Sequence, residues 1–284
     1  MIWTGISRSE RVRDDPPSSD VFVRTLGQGA REVLALHCTI AHSGAWSGLA
    51  SALDGQATLI APDMPSHGRS PDWDEQCDFF DLVTEASAAQ LTKPMDIIGH
   101  SFGAVVALHL AARLPDLVRS AVLIEPVFFA VAAQDAPELT GRYDEEIKPV
   151  TNAFAAGDMA LAARLFNRMW GADAGPRWPD LPEKTRAAMT RGVHVVPAVD
   201  DVLFRDQKGM LNAGVLDRVT MPILIVSGSE THPVVPAIGE GLCRRLPNAR
   251  AEVVSGGGHM VPITHPQHVA GVVQQFWCDL PQSS

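Results

Sequence analysis

The stretch Gly99-His100-Ser101-Phe102-Gly103 sets a hydroxyl between two glycines at a spacing suited to nucleophilic chemistry. The apolar run Met95-Asp96-Ile97-Ile98 precedes it, and a helical pattern, Ala104–Leu110, follows it. On such a strand-to-helix turn the serine hydroxyl is lifted above the sheet edge, while the flanking glycines keep side chains out of a crowded bend. The backbone N–H of Phe102 falls at the helix N-terminus, where unpaired donors and the helix dipole favour a developing oxyanion. The competing reading is an ordinary Gly-rich turn with a solvent-facing serine. The strand before the motif and the helix after it weigh against that. A serine hydroxyl also needs a base to take its proton as it attacks. Val253-Val254-Ser255-Gly256-Gly257-Gly258-His259 is a strand running into a Gly-rich loop. His259 is therefore the candidate base, with an exposed loop histidine as the alternative.

These side chains need a scaffold that brings residues 101 and 259 together. Val21–Leu26 and Glu32–Leu36, separated by Gly27-Gln28-Gly29, read as an antiparallel pair joined by a Gly turn. Five further apolar runs begin at Ala57, Met95, Ala121, Ile223 and Ala251, with helical patterns interspersed among them. Short, nearly continuous apolar runs of this kind indicate parallel strands buried on both faces. The alternation breaks between Pro126 and Val219, where only helical patterns occur. The clearest is capped by Asp158, carries Leu161, Leu165, Phe166 and Met169 on its apolar face, and stops at Gly171. The expected architecture is an α/β fold: a mostly parallel sheet sandwiched by helices, built from residues 21–125 and 220–284. Residues 126–219 are expected to form an inserted helical lid, and residues 1–20 a mobile arm. Trp46, Phe128, Phe129 and Trp170 are candidates for a substrate pocket below the lid, with core packing as the alternative for each.

Together these motifs resemble the α/β-hydrolase fold superfamily, in its serine-nucleophile branch, from about Val21 to the end of the chain. Leu36-His37-Cys38-Thr39 follows a strand and resembles the family's His-Gly oxyanion segment. Asp63-Met64-Pro65-Ser66-His67-Gly68-Arg69-Ser70 resembles its D-x-P-G-x-G-x-S loop, a structural turn. The resemblance implies that the backbone N–H of Thr39, or of Ile40 if the register shifts by one, joins that of Phe102 around an oxyanion. Cys38 and Ser66 stand where the family has glycine. An acid usually follows the strand after the lid, at Gly-x-x-Asp. Here the segment reads Gly228-Ser229-Glu230-Thr231, so Thr231 holds the acid's place. Glu230 lies one residue early, and Glu125 ends the strand Val122-Leu123-Ile124. Haloalkane dehalogenases resemble this chain in having a glutamate at that second position. A carboxylate ending a buried strand needs a partner, since an unpaired buried charge is costly, and an imidazole N–H would be a suitable one. That favours Glu125, with Glu230 as the alternative acid. A structural carboxylate bonded to backbone donors is the other reading of Glu125, and an exposed loop residue that of Glu230.

The chain has 284 residues, 46% hydrophobic and 20% charged, which suffices for a real core. A formal net charge of −10 argues against nucleic acid or an anionic membrane as the partner. His37, Cys38 and His42 lie close together but lack a second ligand pair at zinc spacing, so no metal is expected. His265 and His268, around Pro266, read as exposed. Cys38, Cys77, Cys243 and Cys278 show no C-x-x-C spacing and read as free thiols. With a polar Met1–Asp20 segment that has no apolar leader pattern, they give a cytoplasmic expectation. The resemblance implies a cofactor-free serine hydrolase acting through an acyl-enzyme on a small apolar ester, a small-molecule substrate. Carbon–carbon bond hydrolase, lactonase, thioesterase and perhydrolase chemistry stay open on the same triad, as does homo-oligomerisation. The alternative outside the enzyme class is a catalytically silent ligand-binding protein. Thr231 in the acid's place favours it, and Ser101 with His259 weighs against it.

Overall fold

The apolar runs beginning at Met95, Ala121 and Ile223 form strands covered on both faces, whereas the run at Ala251 forms a largely exposed edge strand. The computed structural model describes residues 20–171 and 175–280; the arm expected over residues 1–20 lies, apart from Asp20, outside the described residues. The strands are β1 (Val23–Gly27), β2 (Arg31–Leu36), β3 (Ala57–Pro62), β4 (Met95–His100), β5 (Val118–Ile124), β6 (Ile223–Gly228) and β7 (Ala249–Val254). They make one sheet in the order β1-β3-β2-β4-β5-β6-β7. Only β1 is antiparallel to its neighbour.

Between and after the strands lie the helices. Before β5 these are α1 (Ser47–Ala52), α2 (Phe79–Ala88) and α3 (Phe102–Arg113). Between β5 and β6 come α4 (Phe129–Asp135), α5 (Pro137–Ala155), α6 (Met159–Trp170), α7 (Glu183–Gly192) and α8 (Asp200–Arg205). After β6 follow α9 (Val234–Arg245), α10 (Val261–Thr264) and α11 (Pro266–Asp279).

The period of two in a strand sends neighbouring residues to opposite faces. Leu34, Leu36, Ile97, Leu123 and Ile225 pack under α2, α3 and α9. Val33, Ala35, Ile98, Ile124 and Val226 pack under α1 and α11 on the other side. The inner strands β2, β4, β5 and β6 thus contribute to two cores, which is why their sequences read as largely apolar.

The expected β1–β2 hairpin does not form. β1 pairs with β3, from Val23 opposite Pro62 to Gly27 opposite Thr58, and β2 runs between β3 and β4. A strand apolar on both faces is stable only with neighbours on both edges. The alternating β1 is suited to the sheet margin. Gly29 lets the connection cross β3 closely, since a Cβ there would lie 2.0 Å from the Ala57 nitrogen.

In α6, Asp158 caps the Leu161 N–H at 2.9 Å and Gly171 ends the helix. The face that packs inward is set by Ala162, Ala163 and Trp170. Leu161 is 38% exposed, so the inward stripe lies to one side of the expected one.

The turn at residue 101 depends on two glycines. A Cβ on Gly99 would fall 2.2 Å from the Gly103 carbonyl oxygen, and one on Gly103 2.2 Å from that of Leu36. Gly103 therefore lets α3 begin against the end of β2. Gly141, in α5, has open space around its Cβ position. Gly103→Val should cost about 3 kcal/mol or more by overpacking against backbone, whereas Gly141→Ala should stabilise by up to about 1 kcal/mol through helix propensity. Urea unfolding midpoints of the two variants check both signs.

Candidate active site

β4 ends at His100, and the chain turns at Ser101 with φ 56° and ψ −118°, outside the ordinary regions for a non-glycine residue. Such strain is retained where surrounding structure fixes it. Here the Ser101 N–H donates to the Ile124 carbonyl at 2.9 Å and α3 begins at the next residue. Next to it in the sheet, β5 ends at Ile124 and Glu125 takes φ 51°. Its backbone N–H donates to the Val226 carbonyl at 2.8 Å. After β7, the Gly-rich loop brings His259 over both.

The resulting contacts form one chain of hydrogen bonds. Ser101 Oγ lies 3.0 Å from His259 Nε2, and His259 Nδ1 lies 2.9 Å from Glu125 Oε2. All three residues are buried, Glu125 completely. The Gly228 N–H donates to Glu125 Oε1 at 2.7 Å, and the Thr231 hydroxyl donates to Oε2. Glu125 accepts from Nδ1–H, so the Nε2 lone pair faces the serine hydroxyl. Glu230 is exposed, and its backbone N–H donates to the Gly257 carbonyl at 2.8 Å. Thr231, standing where an acid was expected, is a donor to the glutamate on the neighbouring strand.

The loops around this chain are tied by buried histidines. His37 accepts the Met64 N–H on Nε2 at 2.9 Å, and its Nδ1–H donates to the Cys38 carbonyl at 2.8 Å. His67 accepts the Ile40 N–H on Nε2 at 3.0 Å, and its Nδ1–H donates to the Pro65 carbonyl at 2.8 Å. His100 donates from Nε2 to the His259 carbonyl at 2.8 Å. Burial pulls His37 down to about 4 and His67 and His100 down to about 3, so all three are neutral near pH 7. Asp63 completes the second loop, accepting from the Ser43 N–H at 2.6 Å and the Arg69 N–H at 2.8 Å. Burial opposes its charge, but these donors hold its carboxyl below the usual range. Ser66, in place of glycine, takes φ 63°, and its Oγ accepts the Trp73 N–H at 2.9 Å. Cys38 has no positive φ, so a side chain fits there, and burial pushes its thiol up to about 12. Ile40 has its N–H committed to His67, whereas Thr39 lines the same cavities as Ser101.

Two cavities meet at Ser101. A narrow slot of about 40 Å³ runs between Val127, Phe129, Ile147, Leu203 and Phe204, with Tyr143 and Asp200 as its polar members. A wider cleft of about 570 Å³ opens past Thr39, His42, Met189 and His259. Phe166 and Trp170 line both. Trp170 packs on His259, its ring 4.3 Å from that of the histidine, and Phe129 stacks on Phe204 at 4.2 Å.

Of the four expected pocket aromatics, Phe129 and Trp170 reach these cavities, and Trp46 and Phe128 do not. Trp46 ends a 3₁₀ turn on the opposite face of the sheet, packed with Leu49 and Leu53. Phe128 is 1% exposed and belongs to the core beneath α4. Both corrections have one cause: which face receives an aromatic ring is decided by tertiary packing. Tyr143 and Phe204 entered the site without a distinguishing local pattern, whereas Phe166 stands on the apolar face read for its helix. Among the described residues, no cluster of three or more ligating side chains could hold a metal, and no helix is long and apolar enough to cross a membrane.

This constellation on this sheet defines a hydrolase-like α/β protein. Residues 33–272 match the model of the alpha/beta hydrolase family, and the chain belongs to that family. It is 28% identical over 258 residues to a pimeloyl-[acyl-carrier protein] methyl ester esterase of Neisseria meningitidis, covering 89% of this chain and 96% of that relative. The same-named protein of Methylococcus capsulatus is 26% identical over 266 residues, 90% and 98% of the two chains. Among solved structures, a haloalkane dehalogenase of Agrobacterium tumefaciens superposes with a TM-score of 0.65 at 21% identity, over 92% of this chain and 95% of that one. An esterase of Rhodococcus sp. ECU1013 gives 0.64 at 20%, over 91% and 94%. These two likenesses show the fold.

The neutral histidines make stability depend on pH. An unfolded histidine takes up a proton near ~6.5, whereas the folded values of His37, His67 and His100 lie near 3 to 4. Between those values the unfolded chain binds more protons, so stability is full above about pH 6.5 and is lost as pH falls. His67→Asn should make the slope of unfolding free energy against pH, measured by urea titrations from about pH 4.5 to 6, shallower by about one proton. An unchanged slope would contradict the assignment of a neutral buried His67.

Proposed function

We propose that this chain is a cofactor-free carboxylic ester hydrolase that works through Ser101, His259 and Glu125. The observation that carries the reading is the continuous path Glu125–His259–Ser101, with bonds of 2.9 and 3.0 Å, at the junction of the two cavities. The curated relatives' names as methyl ester esterases support an ester as the substrate. Helices α4 to α8 act as the lid: α4, α5, α6 and α8 supply the apolar walls of the slot, through Phe129, Ile147, Phe166 and Leu203 among others.

In this mechanism His259 Nε2 takes the Ser101 proton as Oγ attacks the ester carbonyl. The imidazolium so formed is stabilised by Glu125, already ionised and placed on Nδ1–H. The carbonyl oxygen becomes an oxyanion beside the backbone N–H groups of Phe102 and Thr39. His259 then returns the proton to the departing alcohol, leaving Ser101 acylated. Water enters by the same base and releases the acid. Trp170 packs against the His259 ring, with 4.3 Å between the ring centroids. The slot holds about three heavy atoms at one water-sized volume of ~10–15 Å³ each, so the ester group placed there is short.

A fluorophosphonate should label the protein once, at Ser101, and mass spectrometry of the digested adduct should locate it. His259→Gln should slow labelling by at least ~10²-fold, the usual contribution of a general base. Label on another residue, or undiminished labelling of Ser101→Ala, would overturn the assignment.

A further inference from the structure

The wide cleft has a charge character opposite to that of the chain. The whole protein carries a formal net charge of −10, yet Arg24, Arg69 and Lys184 all line this cleft. Arg24 stands on β1 and Arg69 on the loop after β3, and one ring serves both. The Arg24 guanidinium carbon is 5.6 Å from the centroid of Phe22 and that of Arg69 is 4.1 Å from it. Both guanidinium groups thus lie on one aromatic ring, no more than about 10 Å apart, where a single anionic group can be reached from both.

Among the described residues neither guanidinium is in an ion pair with a carboxylate, and the same holds for Lys184. Arg24 gives one N–H, Nε, to Ser43 Oγ at 3.1 Å. Among the described residues the one carboxylate lining the cleft is that of Asp63, and its two oxygens accept the backbone N–H groups of Ser43 and Arg69. Among those residues, three cations thus face one carboxylate already occupied by backbone donors. Guanidinium groups have planar, multiple donors suited to carboxylate and phosphate oxygens. The slot offers the opposite: apolar walls and little room.

We propose that the cleft binds an anionic group, a carboxylate or a phosphate, carried on the long part of the ester, with Arg24 and Arg69 as its principal donors. The short alkyl part then lies in the slot and the ester carbonyl at Ser101. This assignment rests on the ester hydrolase reading for its orientation, while the anion site itself rests on the cleft.

The test compares kcat/KM for three methyl esters: dimethyl adipate, monomethyl adipate, and the methyl ester of 6-phosphooxyhexanoate. The wild type should prefer one or both anionic esters over the neutral one, and the larger preference identifies carboxylate or phosphate as the ligand. In Arg24→Gln/Arg69→Gln that preference should fall by about tenfold or more, the scale of a lost charge-assisted hydrogen bond. Arg24→Lys/Arg69→Lys should retain most of it, and added salt should reduce it in the wild type. A preference that does not change in the Gln variant, or no anionic preference in the wild type, would overturn the proposal. Calorimetric binding of the same three esters to Ser101→Ala separates the two readings. Arginine-dependent binding of the anionic esters without hydrolysis by the wild type would defeat the ester hydrolase reading and keep the anion site. Binding without arginine dependence would defeat the anion site whatever the activity.

Discussion

A fully buried carboxylate at the end of β5 constrains the whole C-terminal edge of this sheet. An ionised Glu125 without partners would cost several kcal/mol, more than any single contact nearby returns. Its partners come from three separate places: the Gly228 N–H at the end of β6, the Thr231 hydroxyl on the following loop, and His259 after β7. Satisfying one side chain therefore fixes the relative position of two loops that are far apart in sequence. The same bond that settles the charge also chooses the tautomer of His259 and turns its free lone pair toward Ser101. In the proposed mechanism, structural necessity and catalytic placement coincide in one hydrogen bond.

The surrounding histidines extend this logic. His37, His67 and His100 are neutral: the first two bridge backbone groups of the loops after β2 and β3, and the third ties the end of β4 to the loop after β7, all without introducing charge. Neutrality matters next to His259. A permanent cation buried beside it would oppose the imidazolium that the proposed mechanism requires. His100, adjacent to Ser101, holds the backbone of residue 259 through its carbonyl. The cost is sensitivity to acid, since each of these rings becomes a proton acceptor on unfolding.

Much of this was legible in the sequence because it is local. Strands buried on both faces announce themselves as unbroken apolar runs, and the residue 101 elbow is a strand, two glycines and a helix in succession. The partner of β1 was not legible, because a Gly-rich connection permits a hairpin as readily as a crossing. What decided it was the need of β2 for neighbours on both edges. Trp46 and Phe128 show a similar limit. Their apolar character says that they are buried, and only the packed fold says in which core. Glu125 could be favoured over Glu230 from the cost of a buried charge, and the structure adds its bond to His259 Nδ1 and the exposure of Glu230. The bridging roles of His37, His67 and His100 had a weaker signal: histidines at the ends of apolar strands or in the turns beyond them.

Whether the acid that orients His259 stands at the end of β5, and not at the place of Thr231, is decided by moving the carboxylate. Steady-state kcat on a methyl ester would be measured for Glu125→Gln, for Glu230→Gln, and for Glu125→Gln combined with Thr231→Asp. The account predicts a loss of up to ~10⁴-fold for the first, little change for the second, and partial recovery in the combination as a carboxylate returns beside Nδ1. Full activity of Glu125→Gln, or a loss of that size in Glu230→Gln, would contradict it.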